Sequence, residues 1–432
     1  MLPKEAVEVD LEAKTISLEF LDQVFRPTGV QSVGVRLWDG TSWPDSNPRP
    51  ATLVLHHPSA LRSMFSAGTE LALAEAYLFN QFDIEGDAIA VFDLADALMK
   101  ATNGWGTKLS AAAKLLRLPK QDLERGNGRQ AAQLSGKVHS LDRDRKAVTY
   151  HYDVSNDFYQ LFLDSRMVYS CAYFTSPDMS LDDAQTAKLE HICRKLRLQP
   201  GQRLLDVGCG WGGLAMYAAQ QYGVEVVGIT LSQPQAELAN QRIHAAGMES
   251  RCQVVVCDYR ELDDSRPYDA LVSIGMFEHV GAALLPVYFK KAVALLKPGG
   301  VFLNHGIARR LNDGPEKRGS FSDAYVFPDG ELEPVSESLR AAEEAGLEVR
   351  DVESLREHYA RTLRHWVSRL EGNYQQALKF VDEVTYRVWR LYMAGSSHGF
   401  HSGRLNVYQS LLVKPTVDGP SGLPPTRADW YR

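Results

Sequence analysis

The sequence lacks any apolar run near the about 18 residues that a membrane-spanning helix requires, so no spanning segment is expected. Its first twenty residues carry five acidic side chains and no apolar block, which excludes a secretory signal there. Cysteine is scarce: Cys171, Cys193, Cys209, Cys252 and Cys257 are an odd number, and none falls in the first 170 residues. No two of them show metal-type pairing, so neither a disulfide framework nor a zinc site is indicated, and a reducing cytosol is the expected compartment. There are no internal repeats. A net charge of −7 argues against a general nucleic-acid binder.

What is present is ordinary globular composition, with 44% hydrophobic and 23% charged residues. A chain of 432 residues suggests two or three domains. The charge is unevenly placed. Residues 1–107 hold 7 Lys/Arg against 15 Asp/Glu, whereas residues 108–146 hold 10 against 4. The basic stretch opens with TNGWGTKLSAAAKLLRLPK, where Trp105, Leu109, Ala112 and Leu116 share one helical face among Lys108, Lys114, Arg117 and Lys120. Such a helix suits an anionic lipid surface; an ordinary domain-edge helix has the same pattern.

Short strand-like runs (SVGVRLW, ATLVLHH) followed by helix-like ones (LALAEAYLFNQF, AIAVFDLADALM) mark a small α+β domain over residues 1–119. Residues 120–148 are polar and glycine-bearing without an apolar period and read as a basic connector. Residues 149–415 alternate β-branched runs with helical periods, as a parallel sheet covered on both faces requires. Strands are expected at 203–208, 224–230, 253–258, 270–275 and 301–307, with helices at 232–247 and 284–300. LEVRDVE (347–353) and RLNVYQSLLV (404–413) finish the sheet, the latter as an antiparallel edge. The Pro/Gly-rich residues 416–432 read as a flexible tail.

The first strand of this region runs into LDVGCGWGG (205–213). Gly208 and Gly210 allow a sharp turn and close approach of a ligand, with a helix N-terminus following. Asp206 is placed either to accept a bond from an amine or to order the loop. The second strand ends in Gly228-Ile229-Thr230-Leu231-Ser232 with no acid for a ribose diol, while VVVCDYR ends in Asp258, suited to an adenine amino group. That layout favours S-adenosylmethionine over a dinucleotide.

Seven blocks then carry a resemblance: HYDVSNDFY (151–159), YSCAYF (169–174), LDVGCGWGG (205–213), GITLSQPQ (228–235), GMFEHVG (275–281), HGI (305–307) and HYARTLRHW (358–366). Together they are similar to the cyclopropane-fatty-acyl-phospholipid synthases and the related mycolic-acid methyltransferases. The resemblance implies a class I S-adenosylmethionine-dependent methyltransferase, a Rossmann-like and mostly parallel seven-stranded sheet. It implies that Tyr169, Ser170, Gly208 and Gly210 contact the methionine part of the cofactor, Thr230 and Gln235 the ribose side, and Asp258 with Tyr259 the adenine. It further implies a bicarbonate ion held by Cys171 and Ile307 through their backbone and by Glu278, His305 and Tyr359. The N-terminal region, with LALAEAYLFNQFDIEGD (71–87), is similar to the accessory domain of the phospholipid-acting members. That favours an unsaturated phospholipid substrate, peripheral association with the inner face of the membrane, and a homodimer.

The chemistry gives separate reasons for these residue types. A sulfonium methyl is electrophilic, and the π electrons of a cis alkene attack it without a protein nucleophile. The resulting carbocation needs π faces and exclusion of water. Ring closure needs a base for one proton of the new methyl. Glu278, unable to attract an anion directly, is expected to accept the bicarbonate hydroxyl or to keep His305 oriented and charged. His398 and His401 have no third ligand nearby, and no metal site is expected. Two departures stand out: His401 follows Phe400 where relatives have an arginine, and Gly306 stands where a larger residue is usual. The expected outcome is a cyclopropane on the acyl chain. A methylene-branched chain from the same first step, a small-molecule methyltransferase and a non-catalytic lipid-binding protein are the alternatives.

Overall fold

The computed structural model describes residues 4–100, 105–121, 123, 126–152, 154–314 and 319–431. The chain forms two compact units.

The first unit comprises Met1–Ala131 together with Gly319–Tyr325 and Asp382–His398, two segments that lie within the expected 149–415 region. Its sheet has four strands in the order β2-β1-β3-β4: β1 Val33–Arg36, β2 Ser42–Trp43, β3 Ala51–Leu55 and β4 Phe82–Gly86. Strand β4 follows directly on the helix Glu70–Leu78, so its FDIEG sequence is masked by the helical period before it. Phe25 packs edge-on against Phe20, Trp43 and Phe65 at 5.8–6.4 Å, and Phe20 meets Phe65 tilted at 5.5 Å. Two buried arginines join the 382–398 segment to this unit. Arg387 donates to Tyr77 O and Asp83 Oδ2, each at 3.0 Å, and Arg390 donates to Tyr77 Oη and Ile84 O, also at 3.0 Å. His398 bonds Asp96 Oδ2 through Nε2 at 2.9 Å.

The second unit carries the expected class I methyltransferase sheet of seven strands, in the order β10-β11-β9-β8-β5-β6-β7. The strands are β5 Arg203–Val207, β6 Glu225–Thr230, β7 Cys252–Val256, β8 Tyr268–Ile274, β9 Leu296–Arg309, β10 Glu348–Ser354 and β11 Leu405–Val413. Pairs among β5 to β9 are parallel; β11 is antiparallel to both β9 and β10. Strand β11 is therefore interior, not the edge: Val407 and Gln409–Val413 are buried because both sides of the strand are paired, and β10 takes the edge. One face is covered by the helices Leu181–Leu196, Gly213–Tyr222 and Gln233–Ala245, the other by Leu285–Leu295 and Val335–Glu344. The helix expected over 284–300 stops at Leu295, because KPGG begins β9.

Two further expectations change. The end of the 120–148 connector is helical, over Leu141–Tyr152. Asp142 and Asp144 favour its N-terminus, and only Ala147 and His151 are buried, which leaves no apolar period to read. The 416–432 segment is not pendant at its end, since Trp430 is buried in the same core as Leu411 and Val413. Successive strands run outward from β5 through β6 to β7, then return to β8 on its other side. A crevice forms at the carboxyl ends of β5 and β8, where ligands bind in open α/β sheets.

Candidate active site

A cavity opens at that crevice, and all nine expected cofactor residues line it: Tyr169, Ser170, Asp206, Gly208, Gly210, Thr230, Gln235, Asp258 and Tyr259. The turn after β5 is built for close approach. Gly208 has φ +79°, and a Cβ there would sit 2.8 Å from the Met276 Cβ, so only glycine fits. Gly210 also has positive φ, but a Cβ there would meet nothing within 4 Å. Its absence leaves room in the cavity.

Asp206 is buried, and its Oδ2 has no hydrogen-bond partner. Burial raises its pKa to about 7, opposed by the charge of Lys188. Lys188, in the helix Leu181–Leu196, is also buried and lines the cavity, donating to Ser170 Oγ at 3.0 Å. Burial pulls its pKa down to about 8 against the charges of Asp164 and Asp206. Nothing in the sequence marks this residue, because a lysine within an amphipathic period reads as a solvated one.

Thr230 Oγ1 donates to Gln235 Oε1 at 2.7 Å, which fixes the turn after β6. Asp258 is gripped by Arg260, Nε to Oδ1 at 2.8 Å and Nη2 to Oδ2 at 2.7 Å, and the same guanidinium reaches Asp144 Oδ2 at 2.8 Å. Oδ1 also accepts the Arg260 backbone N–H at 2.9 Å, so Oδ1 accepts two bonds and Oδ2 one, and only Oδ2 retains a lone pair for a further donor. The buried Tyr259 hydroxyl is unpartnered. Tyr169 stands among aromatic rings, 5.1 Å from Trp366 and 5.4 Å from Tyr159. An unpartnered acid, a glycine cradle and π faces suit a cationic nucleoside such as S-adenosylmethionine.

The expected catalytic residues lie in the same unit, but none of the five lines the cavity. Glu278 stands between the lining residues Met276 and His279, Cys171 follows the lining Ser170, and His305 pairs across the strands with the lining Ile274. Glu278 follows β8 in the short turn Phe277–His279, and its Oε1 accepts the backbone N–H of Ile307 at 2.6 Å. Its Oε2 is buried without a partner, and burial raises the carboxyl pKa to about 7, against the bond from Ile307. The Ile307 amide, expected to hold an anion, is therefore spent on Glu278. His305, on β9, is buried, with Nδ1 3.3 Å from Gln409 Nε2 and with Nε2 unpartnered. Burial, reinforced by the charges of Lys188 and Lys195, pulls its pKa down to about 3. His305 is thus neutral and oriented by Gln409, where a charged ring oriented by Glu278 had been one expectation. The fully buried Cys171 has its thiol 3.6 Å from Leu355 O, and burial raises its pKa, so it is no nucleophile. Tyr359 lies one helical turn beyond Leu355, its ring 4.6 Å from Phe400. Gly306 is explained by Phe277, whose Cδ1 would be 2.9 Å from a Cβ at that position.

Residues 139–410 match the mycolic acid cyclopropane synthetase family, well over half of the chain. The chain belongs to this family. A probable fatty acid methyltransferase of Pseudomonas putida is 43% identical over 94% of this chain and 99% of its own length. The tuberculostearic acid methyltransferase UfaA1 of Mycobacterium tuberculosis is 33% identical over 88% of this chain and 87% of its own. Among solved structures, the mycolic acid cyclopropane synthase CmaA1 complexed with SAH and CTAB is similar with a TM-score of 0.59 and 37% identity. That likeness covers 62% of this chain and 97% of CmaA1. CmaA1 thus matches less than two thirds of the chain, while the two fatty acid methyltransferases match 94% and 88% of it.

Proposed function

We propose that this protein transfers a methyl group from S-adenosylmethionine to the cis double bond of an unsaturated fatty acyl chain and closes a cyclopropane on phospholipid substrates. The observation that carries the reading is that Glu278 Oε2 and His305 Nε2 are both buried without a partner, while the residues flanking Glu278 and the strand partner of His305 line a cavity fitted to the cofactor. The fatty acid methyltransferases and CmaA1 support the class of acceptor.

When bound, S-adenosylmethionine supplies an electrophilic methyl group to the alkene π electrons and leaves as the neutral thioether. The protein binds and shields. Asp206 offers an unpaired carboxylate oxygen in the cavity, and Tyr152 and Tyr169 present π faces to positive charge. Ring closure transfers one proton from the new methyl to a base, and the C–H electron pair forms the second ring bond. Bicarbonate fits as that base by its donor set, having one hydroxyl to give and oxyanion oxygens to receive. Glu278 Oε2 would accept the hydroxyl of such an ion, and the neutral His305 would donate to it from Nε2.

The same reading includes a homodimer at an anionic membrane surface, where two-point attachment adds avidity. Leu109 and Leu116, each 67% exposed, lie seven residues apart on one face of the helix Trp105–Arg117. The side chain of Trp105 lies outside the described residues. Lys114 lies 3.7 Å from Glu19 and Arg117 2.8 Å from Glu12, so part of the helix's positive charge is neutralised. No helix among the described residues is long and apolar enough to cross a membrane.

A second product has support of its own. Of the two longer relatives named above, one is named a probable fatty acid methyltransferase and the other a tuberculostearic acid methyltransferase. A hydride shift and loss of a different proton give a methylene branch from the same cation.

The test is Glu278→Gln. Cofactor binding by calorimetry is expected to stay within about twofold, while turnover on unsaturated vesicles falls by about 10²–10³. Full turnover in this variant sinks the mechanism.

A further inference from the structure

A line of polar side chains runs behind His305 through the interior of the catalytic unit. Lys195, at the end of the helix Leu181–Leu196, is fully buried, and its Nζ donates to Gln409 Oε1 at 2.8 Å. The same ammonium pairs with Glu353 Oε2, which also takes His191 Nε2 at 2.8 Å. Burial alone would raise the Glu353 pKa, but the His191 bond and the Lys195 charge together bring it to about 2. The ring of Trp430 closes the far end, 5.3 Å from Lys195 Nζ.

Hydrogen-bond chemistry orients every member of this line. An ammonium only donates, so the Gln409 atom that meets Lys195 is the carbonyl oxygen. The amide NH2 then faces His305 Nδ1 at 3.3 Å. An amide NH2 also only donates, so Nδ1 accepts, and the single proton of the neutral imidazole sits on Nε2. Nε2 is the buried atom without a partner. The opposite tautomer would turn a lone pair toward any oxyanion placed there and repel it.

We propose that Lys195 and Gln409 are positioning residues whose amide relay fixes His305 as the Nε2–H tautomer, so that the ring presents its one free donor to a bound oxyanion. What the tautomer serves rests on the reading of His305 as an anion-binding group. The tautomer itself does not.

The experiment is nitrogen NMR of the full chain labelled with 15N-histidine, at neutral pH and without lipid, the His305 signal being identified by its loss in His305→Gln. The expected wild-type pattern is a protonated Nε2 and a bare Nδ1; a proton on Nδ1 overturns the proposal. Gln409→Glu gives Nδ1 a carboxylate to donate to, and the proton is expected to move there. A signal that keeps the Nε2–H pattern in this variant overturns the relay. Lys195→Met frees the amide to turn over and is expected to mix the tautomers, whereas Lys195→Arg, with a donor to the same oxygen, restores the wild-type pattern. In Gln409→Glu we expect kcat on lipid to fall about a hundredfold with the cofactor KM unchanged; a moved proton with unchanged kcat overturns the functional half. If the wild type modifies no lipid at all, the proposed function fails, while the NMR pattern still decides the relay.

Discussion

Glu278 accepts the backbone N–H of Ile307 through one carboxylate oxygen at 2.6 Å and leaves the other buried without a partner. The first contact ties the turn after β8 to β9. The second atom is left available for chemistry, and the protein retains it at a cost in stability.

That cost is measurable. Burial raises the Glu278 pKa from 4.5 to about 7. The folded state holds this proton more tightly than the unfolded chain, so the stabilising contribution is full below about pH 4.5 and is lost as pH rises through about 7. At about 1.4 kcal/mol per pKa unit, the difference is on the order of 3 kcal/mol. Glu278→Gln is expected to gain that much relative to wild type at about pH 8 and almost none at about pH 4.5, read from urea unfolding at both values. Equal effects at the two pH values would contradict the buried, unpaired assignment.

Gly208 and Gly210 separate backbone strain from ligand space. Gly208→Ala forces both a left-handed backbone and a clash 2.8 Å from Met276, and is expected to cost about 1–3 kcal/mol as well as cofactor affinity. Gly210→Ala meets no neighbour, so its stability loss is expected to stay near about 1 kcal/mol while cofactor affinity still falls. Calorimetric titration with S-adenosylhomocysteine and denaturant curves together distinguish the two.

Lys188 and Asp206 answer for each other. Lys188→Met removes the charge that holds the Asp206 pKa down and is expected to push it above about 7, so the carboxyl is protonated at neutral pH and stability is lost as pH rises through the new value. Asp206→Asn in the same chain should recover a large part of the loss. A double-mutant cycle with no coupling would show that the two charges act independently.

The methyltransferase strands were legible because parallel, doubly covered strands read as continuous β-branched runs. RLLDV and EVVGIT stand in the structure almost where the sequence puts them. The nine residues expected at the cofactor come from the glycine turn and the resemblance, and each lines the cavity. Lys188, Lys195 and Gln409 were not legible, for a physical reason. A sequence shows which face of a helix or strand a polar residue occupies, not which partner the opposite element supplies. The helix Leu141–Tyr152 was missed because only two of its side chains are buried. Interior β11 was read as an edge because pairing on both sides leaves no local signature.

The exposed leucines carry a prediction about membranes. Leu109→Asp with Leu116→Asp removes two apolar side chains worth about 2 kcal/mol each if fully inserted. Binding to vesicles of anionic, monounsaturated phospholipid is expected to fall at least about tenfold, with the denaturant midpoint unchanged. Unaltered cosedimentation would remove this helix from the membrane contact.

The central claim is methylene transfer to an acyl double bond, and mass spectrometry of the lipid product tests it most directly. The protein is incubated with S-adenosylmethionine bearing a fully deuterated methyl group and with monounsaturated phospholipid vesicles. The account predicts an acyl chain that keeps two deuterons of the three and co-migrates with an authentic cyclopropane standard. An olefinic branched chain would replace ring closure with the methylene-forming outcome, and no label in any lipid while the cofactor binds normally would contradict the account altogether.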